Sequence, residues 1–331
     1  MSKSFNIALV GCGTISYNHL TALSKLENVK VVALCDIKPE NAEKRKAEFG
    51  LDCKIYTDFY EMIDAESLDA VHVTTPHYLH APMTLAALER DIYVCLEKPM
   101  CINREEIKSL LEAEKKSRAS VTVSFQTRYN TANIIAKKMT EEDGIVSAYF
   151  STFWERTKEY YTESGWRGMY ATEGGGVMIN QAIHSVDHLI GLLGKPIAVT
   201  ATTANHKHKG IIEVEDTCEG MVEFENGKIG NFFSTNAFTG TSRTSIFIKT
   251  TNHSLEIRNS KLYVDDRLVE DTESSGYLGK EVYGDGHLTL IKKFYEAIEN
   301  GGEMPITLES AQWPLRLLLA AYESNDERTL V

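Results

Sequence analysis

The chain has 331 residues, a hydrophobic content of 43%, a charged content of 25% and a formal net charge of −12. This length predicts two domains, and the composition is that of a globular protein rather than a disordered, fibrous or membrane-embedded one. The negative charge would repel phosphate backbones and anionic lipids, which argues against nucleic acid and membrane partners.

Residues 5–124 alternate short, β-branched apolar runs with stretches of helical periodicity, a pattern typical of βαβ units and a parallel sheet. The predicted strands are residues 6–10, 29–35, 70–74, 92–96 and 120–125. The predicted helices are residues 16–26, 39–49, 80–90 and 105–117. The first half is therefore predicted to be a doubly wound α/β domain.

Beyond residue 125, apolar residues recur at every second position, which predicts antiparallel strands. Asn226-Gly227 separates two such runs and predicts a hairpin whose turn residues both have positive φ. Helices are predicted over residues 176–193, 287–300 and 309–324. We expect the first domain to cover residues 1–124. The second, over residues 125–331, is expected to be an α+β domain with a large, mostly antiparallel open sheet. The two domains are expected to share an interface.

The amino terminus and the cysteines indicate where in the cell the protein is expected. An apolar run follows MSKS directly, and no stretch of roughly 18 apolar residues occurs, so neither a signal peptide nor a membrane span is expected. The six cysteines contain no Cys-x-x-Cys pair, which argues against a zinc ribbon. We expect a cytoplasmic protein without a bound metal. His206 and His208, among lysines, are expected in a solvated loop.

A glycine turn follows the first predicted strand, with Gly11, Gly13 and Ser16 in a G-x-G-x-x-S arrangement before a helix. Gly11 permits the tight turn, Gly13 lets the backbone approach a pyrophosphate, and Ser16 allows close packing of helix and strand. The helix N-terminus then offers N–H groups to phosphates. Asp36 ends the second strand, 20 residues after Ser16, where a carboxylate binds the adenosine ribose hydroxyls. The first domain is therefore predicted to be a Rossmann domain.

Asp36 also favours NAD over NADP, because its charge would repel a 2′-phosphate. The next residue, Ile37, supplies no compensating arginine, although Lys38 would soften the preference if it turned towards the phosphate. The alternative is a structural glycine turn in which Asp36 only caps the helix that begins at Pro39.

Two further segments carry a family resemblance. VTTPHYLHAPMTLAALERDIYVCLEKPM contains Glu97-Lys98-Pro99 at the end of a strand, and EGGGVMINQAIHSVDHLIGLLG contains a His-x-x-Asp in a helix after three glycines. With the glycine turn, these segments make the whole chain resemble the glucose-fructose oxidoreductase and inositol dehydrogenase (Gfo/Idh/MocA) superfamily. The resemblance implies a cis Lys98–Pro99 bond. The expected cofactor-binding residues are Gly11, Gly13, Thr14, Ile15, Asp36, Thr75, Pro76, His80, Glu97 and Lys98.

Lys98 and His184 are the predicted catalytic residues. Lys98 follows the fifth strand, at the sheet edge that binds ligands, where an ammonium would stabilise a developing oxyanion. Helical spacing places Asn180, His184, Asp187 and His188 on one face of an otherwise apolar helix, and such a buried polar stripe needs partners. Histidine suits a general base near neutral pH, and the resemblance gives this role to His184, with Lys98 assisting.

One position departs from many relatives, which carry aspartate where this chain has Asn180. Asparagine still hydrogen-bonds substrate hydroxyls but cannot take a proton. The alternatives are a buried polar pair without chemistry for Asn180 and His184, structural roles for Asp187 and His188, and a surface charge for Lys98.

The remaining substrate candidates are aromatic or basic. Arg128 follows the last Rossmann strand, where the family directs an arginine or tyrosine towards the active site. A run rich in aromatic residues and arginine suits sugars and polyols, although it could equally be aromatic packing under a loop. Its candidates are Trp154, Arg156, Tyr160, Tyr161, Trp166 and Arg167. His77 and His80 flank the loop that follows the predicted strand over residues 70–74. They would line the nicotinamide end of the cofactor site or have structural roles.

These features predict an oxidoreductase that moves hydride between NAD and a secondary hydroxyl of a sugar, an inositol or a sugar derivative. Two alternatives remain open: redox-neutral, NAD-dependent glycoside cleavage or elimination, and a regulator that binds NAD or sugar without catalysis. The presence of Lys98 and His184 argues against the regulator. The resemblance also implies a homodimer or homotetramer.

Overall fold

The computed structural model describes residues 4–271 and 284–331. The first half builds a six-stranded sheet. Its strands are β1 (Phe5–Val10), β2 (Val29–Cys35), β3 (Lys54–Tyr56), β4 (Ala70–Val73), β5 (Tyr93–Leu96) and β6 (Val121–Val123). Its helices are α1 (Ser16–Leu23), α2 (Pro39–Phe49), α3 (Phe59–Ala65), α4 (His80–Leu88) and α5 (Arg104–Glu114).

This sheet is parallel throughout, with the strand order β3-β2-β1-β4-β5-β6. The direction of winding reverses between β1 and β4, and the crevice at their carboxyl ends is where open sheets bind ligands. Ala8 and Val10 enter one apolar core, whereas Ile7 and Leu9 enter another, so both faces of β1 are covered. The predicted Rossmann fold is confirmed.

All five predicted strands and all four predicted helices of this half occur within a few residues of their expected positions. Strand β3 and helix α3 were not predicted. β3 has three residues and α3 has seven, and neither is long enough to display a clear periodicity.

The second half builds a nine-stranded sheet within the described residues. Its strands are β7 (Ile145–Phe153), β8 (Pro196–Ala204), β9 (Thr217–Phe224), β10 (Ile229–Thr235), β11 (Arg243–Thr250), β12 (Ser254–Arg258), β13 (Lys261–Val264), β14 (Arg267–Asp271) and β15 (Thr329–Leu330). Its helices are α6 (Thr131–Asp143), α7 (Lys158–Thr162), α8 (Ile183–Leu193), α9 (Gly286–Asn300) and α10 (Leu308–Ser324).

The strand order is β14-β13-β12-β11-β7-β10-β9-β8-β15, and every pair is antiparallel except β7 with β10 among the strands described. Helices α8 and α10 pack against this sheet. Tyr149 and Ile229 are exposed, and the Tyr149 ring stacks on Phe247 of the neighbouring strand at 4.6 Å between centroids. The predicted α+β second domain with a mostly antiparallel sheet is confirmed.

The hairpin at Asn226-Gly227 forms between β9 and β10, but its predicted turn geometry is wrong. Gly227 has φ of +77°, whereas Asn226 is not among the residues with positive φ. The Gly227 N–H donates to the Phe224 carbonyl at 2.9 Å. The connection is therefore a turn followed by one left-handed glycine, a common alternative to the two-residue hairpin.

Helix α6 was also missed, because the residues it buries are small or polar, such as Ala132 and Ala136, while Ile134 is exposed. Helix α9 lies closer to the first sheet than its place in the chain would suggest. Its Ile291 and Phe294 share an apolar core with Phe5 and Leu9 of β1. The C-terminal half thus helps to bury the first sheet, which ties the two halves together. The division after residue 124 stays a prediction.

The predicted helix over residues 176–193 is not uniform. It begins with a π-helical turn, Met178–Ala182, and continues as α8. Glu215 anchors its start, since its carboxylate accepts the N–H of Gly176 at 2.8 Å and of Met178 at 3.0 Å. A Cβ at Gly176 would lie 1.8 Å from the Glu215 carbonyl oxygen, so only glycine fits there. The described helices include none with the length and apolar character needed to cross a bilayer.

Glu215 should make the stability of the protein depend on pH. Burial raises the pKa of its carboxyl to about 7, despite the hydrogen bonds that it accepts. The unfolded chain releases this proton nearer pH 4.5, so the stability that Glu215 contributes is full below that pH and is lost as the pH rises to about 7. Glu215→Gln removes this loss, on the order of 3 kcal/mol.

Urea unfolding of both proteins at several pH values between 4 and 8 measures the effect as a difference. We expect the free energy of unfolding of the native protein to fall, relative to that of Glu215→Gln, across this window. Glu213→Gln, on an exposed neighbour, is the control. Parallel curves for the native protein and Glu215→Gln would contradict the assignment.

Candidate active site

A cavity of about 610 Å³ opens at the carboxyl edge of the first sheet and extends to α8. This volume is typical of a site for a small molecule or cofactor. All ten residues predicted to bind the cofactor line it, namely Gly11, Gly13, Thr14, Ile15, Asp36, Thr75, Pro76, His80, Glu97 and Lys98. The predicted catalytic residue His184 and the substrate candidates Asn180, Trp166 and Arg167 line the same cavity.

The glycine turn leaves its backbone open to this cavity. Gly11 has φ of +88°, and a Cβ there would lie 2.6 Å from the Thr74 carbonyl oxygen, so no other residue fits. Gly13 is exposed, with nothing within 4 Å of its Cβ position. Helix α1 has neither a capping side chain nor an acidic residue in its first turn. Asn18 N–H donates to the Ile15 carbonyl at 3.0 Å, so the N–H groups before it are the ones open to an anionic group such as a pyrophosphate.

Asp36 is fixed opposite this turn. Its Oδ2 accepts the N–H of Cys12 at 2.8 Å, and its Oδ1 accepts from Lys38 N at 2.9 Å and Asn41 Nδ2 at 3.2 Å. A carboxylate offers about four acceptor positions, so Asp36 retains capacity for a ribose hydroxyl. Helix α2 has Lys38 rather than Asp36 at its N-cap, so the structure does not bear out a capping role for Asp36.

The Glu97-Lys98-Pro99 segment is held by two histidines. The Lys98–Pro99 peptide bond is cis, as the resemblance implied. His19 Nε2 lies 2.9 Å from Glu97 Oε1, and His80 Nδ1 lies 2.6 Å from the Pro99 carbonyl oxygen. These contacts fix the backbone on both sides of Lys98, and therefore the direction in which its side chain leaves the sheet.

The Lys98 ammonium crosses to the second half of the chain. Its Nζ donates to the main-chain carbonyl of Asn180 at 2.9 Å. Burial lowers the pKa of Lys98, although the charges of Glu97 and Glu173 oppose this. Burial alone would raise the pKa of Glu97, but the hydrogen bond and charge of His19 hold it at about 2. An ionised carboxylate therefore lies beside Lys98.

His19 continues into a buried polar chain, in which its Nδ1 lies 2.8 Å from His72 Nδ1 and His72 Nε2 lies 2.8 Å from the Tyr295 hydroxyl. His19, His72 and Cys95 also have potential ligand atoms within 4.8 Å of one another. The two imidazoles already bond to each other, and burial raises the pKa of the Cys95 thiol, which disfavours a thiolate ligand. This group fits a hydrogen-bonded support for Glu97 better than a metal site.

His184 faces the cavity from α8. Its Nδ1 lies 3.3 Å from Thr127 Oγ1, and within the described chain its Nε2 has no hydrogen-bond partner. Burial, together with the charge of Lys98, lowers the pKa of His184 well below its usual value. The imidazole is therefore neutral at neutral pH and able to accept a proton.

Asn180 lies in the π-helical turn, with its side chain facing a carboxylate that the sequence analysis missed. Its Nδ2 donates to Glu173 Oε1 and to the Tyr160 hydroxyl, the latter at 3.3 Å. Glu173 is 1% exposed, and burial raises its pKa despite hydrogen bonds from Gly168 and Asn180. The position of Glu173 immediately before three glycines was the available signal. Thr127, the contact of His184, was likewise passed over beside Arg128.

Three substrate candidates, Arg128, Asp187 and Tyr161, do not line this cavity, and their role in binding substrate stays a prediction. The Arg128 guanidinium donates to both carboxylate oxygens of Asp187, with Nε 2.7 Å from Oδ2. This pair borders a second cavity, of about 440 Å³. Tyr161 is 5% exposed, accepts a hydrogen bond from Asn236 at 2.7 Å and packs with Ile212.

The predicted polar stripe on the substrate helix is therefore only partly correct. His184 and His188 line the large cavity with Asn180, whereas Asp187 does not. Residues at i and i+7 share a face only in a regular α-helix, and the π-helical turn that contains Asn180 changes this relation.

The expectation of a solvated loop at His206 and His208 is wrong for His208. The Asp216 carboxylate accepts the backbone N–H groups of His206, Lys207 and His208, which draws the loop inwards. His206 stays exposed, but His208 is buried with its ring edge-on to Tyr161.

The aromatic and basic run contributes one wall of the cavity. Trp154, Arg156, Tyr160, Trp166 and Arg167 all line it. His77 lines the cavity too, with its Nδ1 2.8 Å from the Glu173 carbonyl oxygen and its ring against Trp166. These side chains extend the cavity beyond Lys98, on the side away from the glycine turn.

Comparison with known proteins agrees with this two-part site. Residues 5–125 match the model of the oxidoreductase family with an NAD-binding Rossmann fold, and residues 144–256 match the model of the GFO/IDH/MocA C-terminal domain. Together these matches cover well over half of the chain. The chain belongs to the Gfo/Idh/MocA family, and its first half is an NAD-binding Rossmann domain.

Among characterised relatives, the chain is 30% identical over 139 residues to inositol 2-dehydrogenase of Salmonella typhimurium, a match that spans 41% of each protein. It is 25% identical to 1,5-anhydro-D-fructose reductase of Ensifer adhaerens over 96% of this chain and 95% of that one. The WlbA dehydrogenase of Bordetella pertussis, solved in complex with NADH and UDP-GlcNAcA, superimposes with a TM-score of 0.86 at 26% identity, covering 99% of both chains.

Asp36→Asn should change which nucleotide the Rossmann domain binds. The substitution removes the charge that would repel a 2′-phosphate, and it replaces one of the two oxygens that accept backbone N–H groups with an amide nitrogen that cannot accept. We expect NADH to bind roughly fivefold more weakly and NADPH about tenfold more tightly. Titration of the intrinsic fluorescence of each nucleotide measures both affinities. Asp52→Asn, on an exposed aspartate of the same domain, should change neither. An unchanged ratio of the two affinities would refute the role of Asp36.

Proposed function

We propose that the protein is an NAD-dependent dehydrogenase acting on a secondary hydroxyl of a sugar, an inositol or a sugar derivative, with Lys98 and His184 as its catalytic residues. The observation that carries the proposal is that these side chains, from the two halves of the chain, line one cavity together with the nucleotide-binding turn. The electrostatic effect of Lys98 on His184 supports their proximity. The substrates named for the relatives support the class of substrate.

The nucleotide end of the cavity fits NAD. The open backbone at Gly13 and the uncapped start of α1 would hold the pyrophosphate, and Asp36 would hold the adenosine ribose. When bound, NAD supplies the hydride acceptor. Preference for NAD over NADP is part of the proposal and rests on the charge of Asp36.

The chain's own groups would handle the hydroxyl. In the oxidation, the C–H bond breaks with its electron pair leaving as hydride, the O–H proton leaves, and the C–O bond becomes a carbonyl. The Lys98 ammonium would donate a hydrogen bond to the hydroxyl oxygen and stabilise the negative charge that develops there. We assign the tautomer of His184 that donates Nδ1–H to Thr127 Oγ1, which leaves Nε2 as the base for the proton.

Asn180 has a positioning role in this scheme. The bond that it makes to Lys98 uses the main-chain carbonyl, so it does not depend on whether the side chain is asparagine or aspartate. The side chain instead joins Glu173 and Tyr160. The absence of the aspartate found in many relatives thus leaves the orientation of Lys98 intact.

Two further proposals concern the oligomeric state and the cellular location of the protein. The exposed apolar residues of the large sheet, Tyr149 and Ile229 with Phe247, support a homodimer or homotetramer formed through this face. All six cysteines are buried and free, which supports a reducing, cytoplasmic location.

The test is net NADH formation with NAD⁺ across a panel of inositols, aldoses and nucleotide-linked sugars. We expect turnover of at least one member, and we expect Lys98→Ala and His184→Ala each to lower its kcat/KM by roughly 100-fold or more. Lys115→Ala and His206→Ala, which remove exposed residues of the same types, are the controls.

The same assay separates the alternatives. A redox-neutral enzyme would consume substrate without accumulating NADH, and a regulator would bind ligands without turnover. Full activity of both Lys98→Ala and His184→Ala on a working substrate would show that the catalytic assignment is wrong.

A further inference from the structure

Arg156 and Arg167 converge on one aromatic ring in the wall of the cavity. Their guanidinium carbons lie 4.2 and 4.3 Å from the centroid of the Tyr160 ring. Each also lies against a tryptophan, Arg156 at 5.2 Å from Trp154 and Arg167 at 4.7 Å from Trp166. Stacking on aromatic faces holds the two planar cations in fixed orientations.

Neither guanidinium has an anionic partner in residues 4–271 and 284–331. The Nε atom of each is buried without a hydrogen-bond partner. Several other arginines of the chain are paired with carboxylates, for example Arg128 with Asp187 and Arg118 with Asp91. A buried donor without an acceptor is unfavourable. Because both arginines line the cavity, a ligand bound there is the available source of an anionic partner for the guanidinium groups.

The nearby carboxylates make their hydrogen bonds to other groups, although the charge of Arg167 offsets part of the rise that burial causes in the pKa of Glu173. Glu97 bonds to His19, and Glu173 accepts from Gly168 N and from Asn180 Nδ2. Although the whole chain carries a formal charge of −12, this end of the cavity therefore brings together Arg156 and Arg167 with Lys98. A local excess of positive charge on an acidic protein favours an anionic ligand at that place.

The two arginines lie beside the proposed reaction point rather than beside the glycine turn. The Tyr160 hydroxyl is 3.3 Å from Asn180 Nδ2, and the carbonyl of the same Asn180 is 2.9 Å from Lys98 Nζ. An anionic group bound by the arginines would thus be carried by the sugar ring that is oxidised or by its immediate substituent. The cofactor phosphates, which belong at the glycine turn, do not account for these cations.

We propose that Arg156 and Arg167 form an oxyanion subsite, and that the substrate is an acidic sugar whose carboxylate or phosphate they bind. This inference rests on the proposed function and narrows its substrate class. A guanidinium presents paired N–H donors that match the two oxygens of a carboxylate or phosphate. Trp154 and Trp166 would cover the apolar faces of the same sugar ring.

The test uses matched sets of sugars, each as the neutral aldose, the uronate and the 6-phosphate, in the gluco, galacto and manno series. Calorimetry measures binding to the complex of the protein with NADH, and NADH formation measures turnover with NAD⁺. We expect an acidic form to bind more tightly than its neutral partner by roughly 10-fold to 100-fold. Uronate and phosphate arms distinguish the two sources of the oxyanion.

Substitutions of the two arginines test whether they cause the preference for acidic sugars. Arg156→Gln and Arg167→Gln should each lower the ratio of acidic to neutral affinity by roughly 10-fold or more, whereas Arg156→Lys and Arg167→Lys should restore part of it by keeping the charge. Lys158→Gln, which removes an exposed cation from α7, is the control. Circular dichroism establishes that each variant is folded.

The outcomes separate this inference from the proposed function. If neutral sugars bind and turn over as well as their acidic partners, and if the arginine variants leave the ratio unchanged, the oxyanion subsite is refuted while the dehydrogenase stands. If acidic sugars bind at the arginines without any net NADH formation, the subsite stands and the dehydrogenase is refuted. If no acidic form binds better than its neutral partner, the inference fails.

Discussion

The candidate site depends on one hydrogen bond, from the Lys98 ammonium to the main-chain carbonyl of Asn180. This bond joins the end of β5 to the π-helical turn before α8, and so brings a cation of the first sheet to the helix that carries His184. Each end has its own support. His19 and His80 contact the segment around Lys98, and Glu215 accepts the N–H groups at the start of the π-helical turn. Because the contact of Asn180 is made by its backbone, this geometry does not depend on the identity of the side chain at position 180.

Burial sets the electrostatics of the cavity. It lowers the pKa of Lys98 and of His184, and it raises the pKa of Glu173. Glu97, held ionised by His19, is the group that opposes the loss of charge at Lys98 most strongly. The result is a neutral imidazole next to a lysine ammonium that can stabilise an oxyanion. The guanidinium groups of Arg156 and Arg167 add further positive charge to the wall of the cavity.

The sequence predicted the parts of this site that rest on local backbone rules. The glycine turn and Asp36 at the end of β2 follow from positions adjacent to strands, where spacing determines geometry. The cis bond at Lys98–Pro99 was instead implied by the family resemblance. The contacts that side chains make with residues distant in the sequence were harder to predict. Asp187 was assigned to the substrate face because regular helical spacing was assumed, but the π-helical turn and the pairing with Arg128 place it elsewhere. Glu173 was missed because its contact with Asn180 depends on how a glycine-rich loop folds back.

The most direct test is the structure of the protein crystallised with NAD⁺ and a substrate or a close analogue. Two distances in that structure, from the reacting hydroxyl to Lys98 and to His184, test the catalytic assignment. The account predicts that the hydroxyl of the reacting carbon lies about 3 Å from both Lys98 Nζ and His184 Nε2, with that carbon facing the nicotinamide ring. A complex in which the ring binds away from both side chains, or in which the substrate occupies the cavity bordered by Arg128 and Asp187, would contradict it.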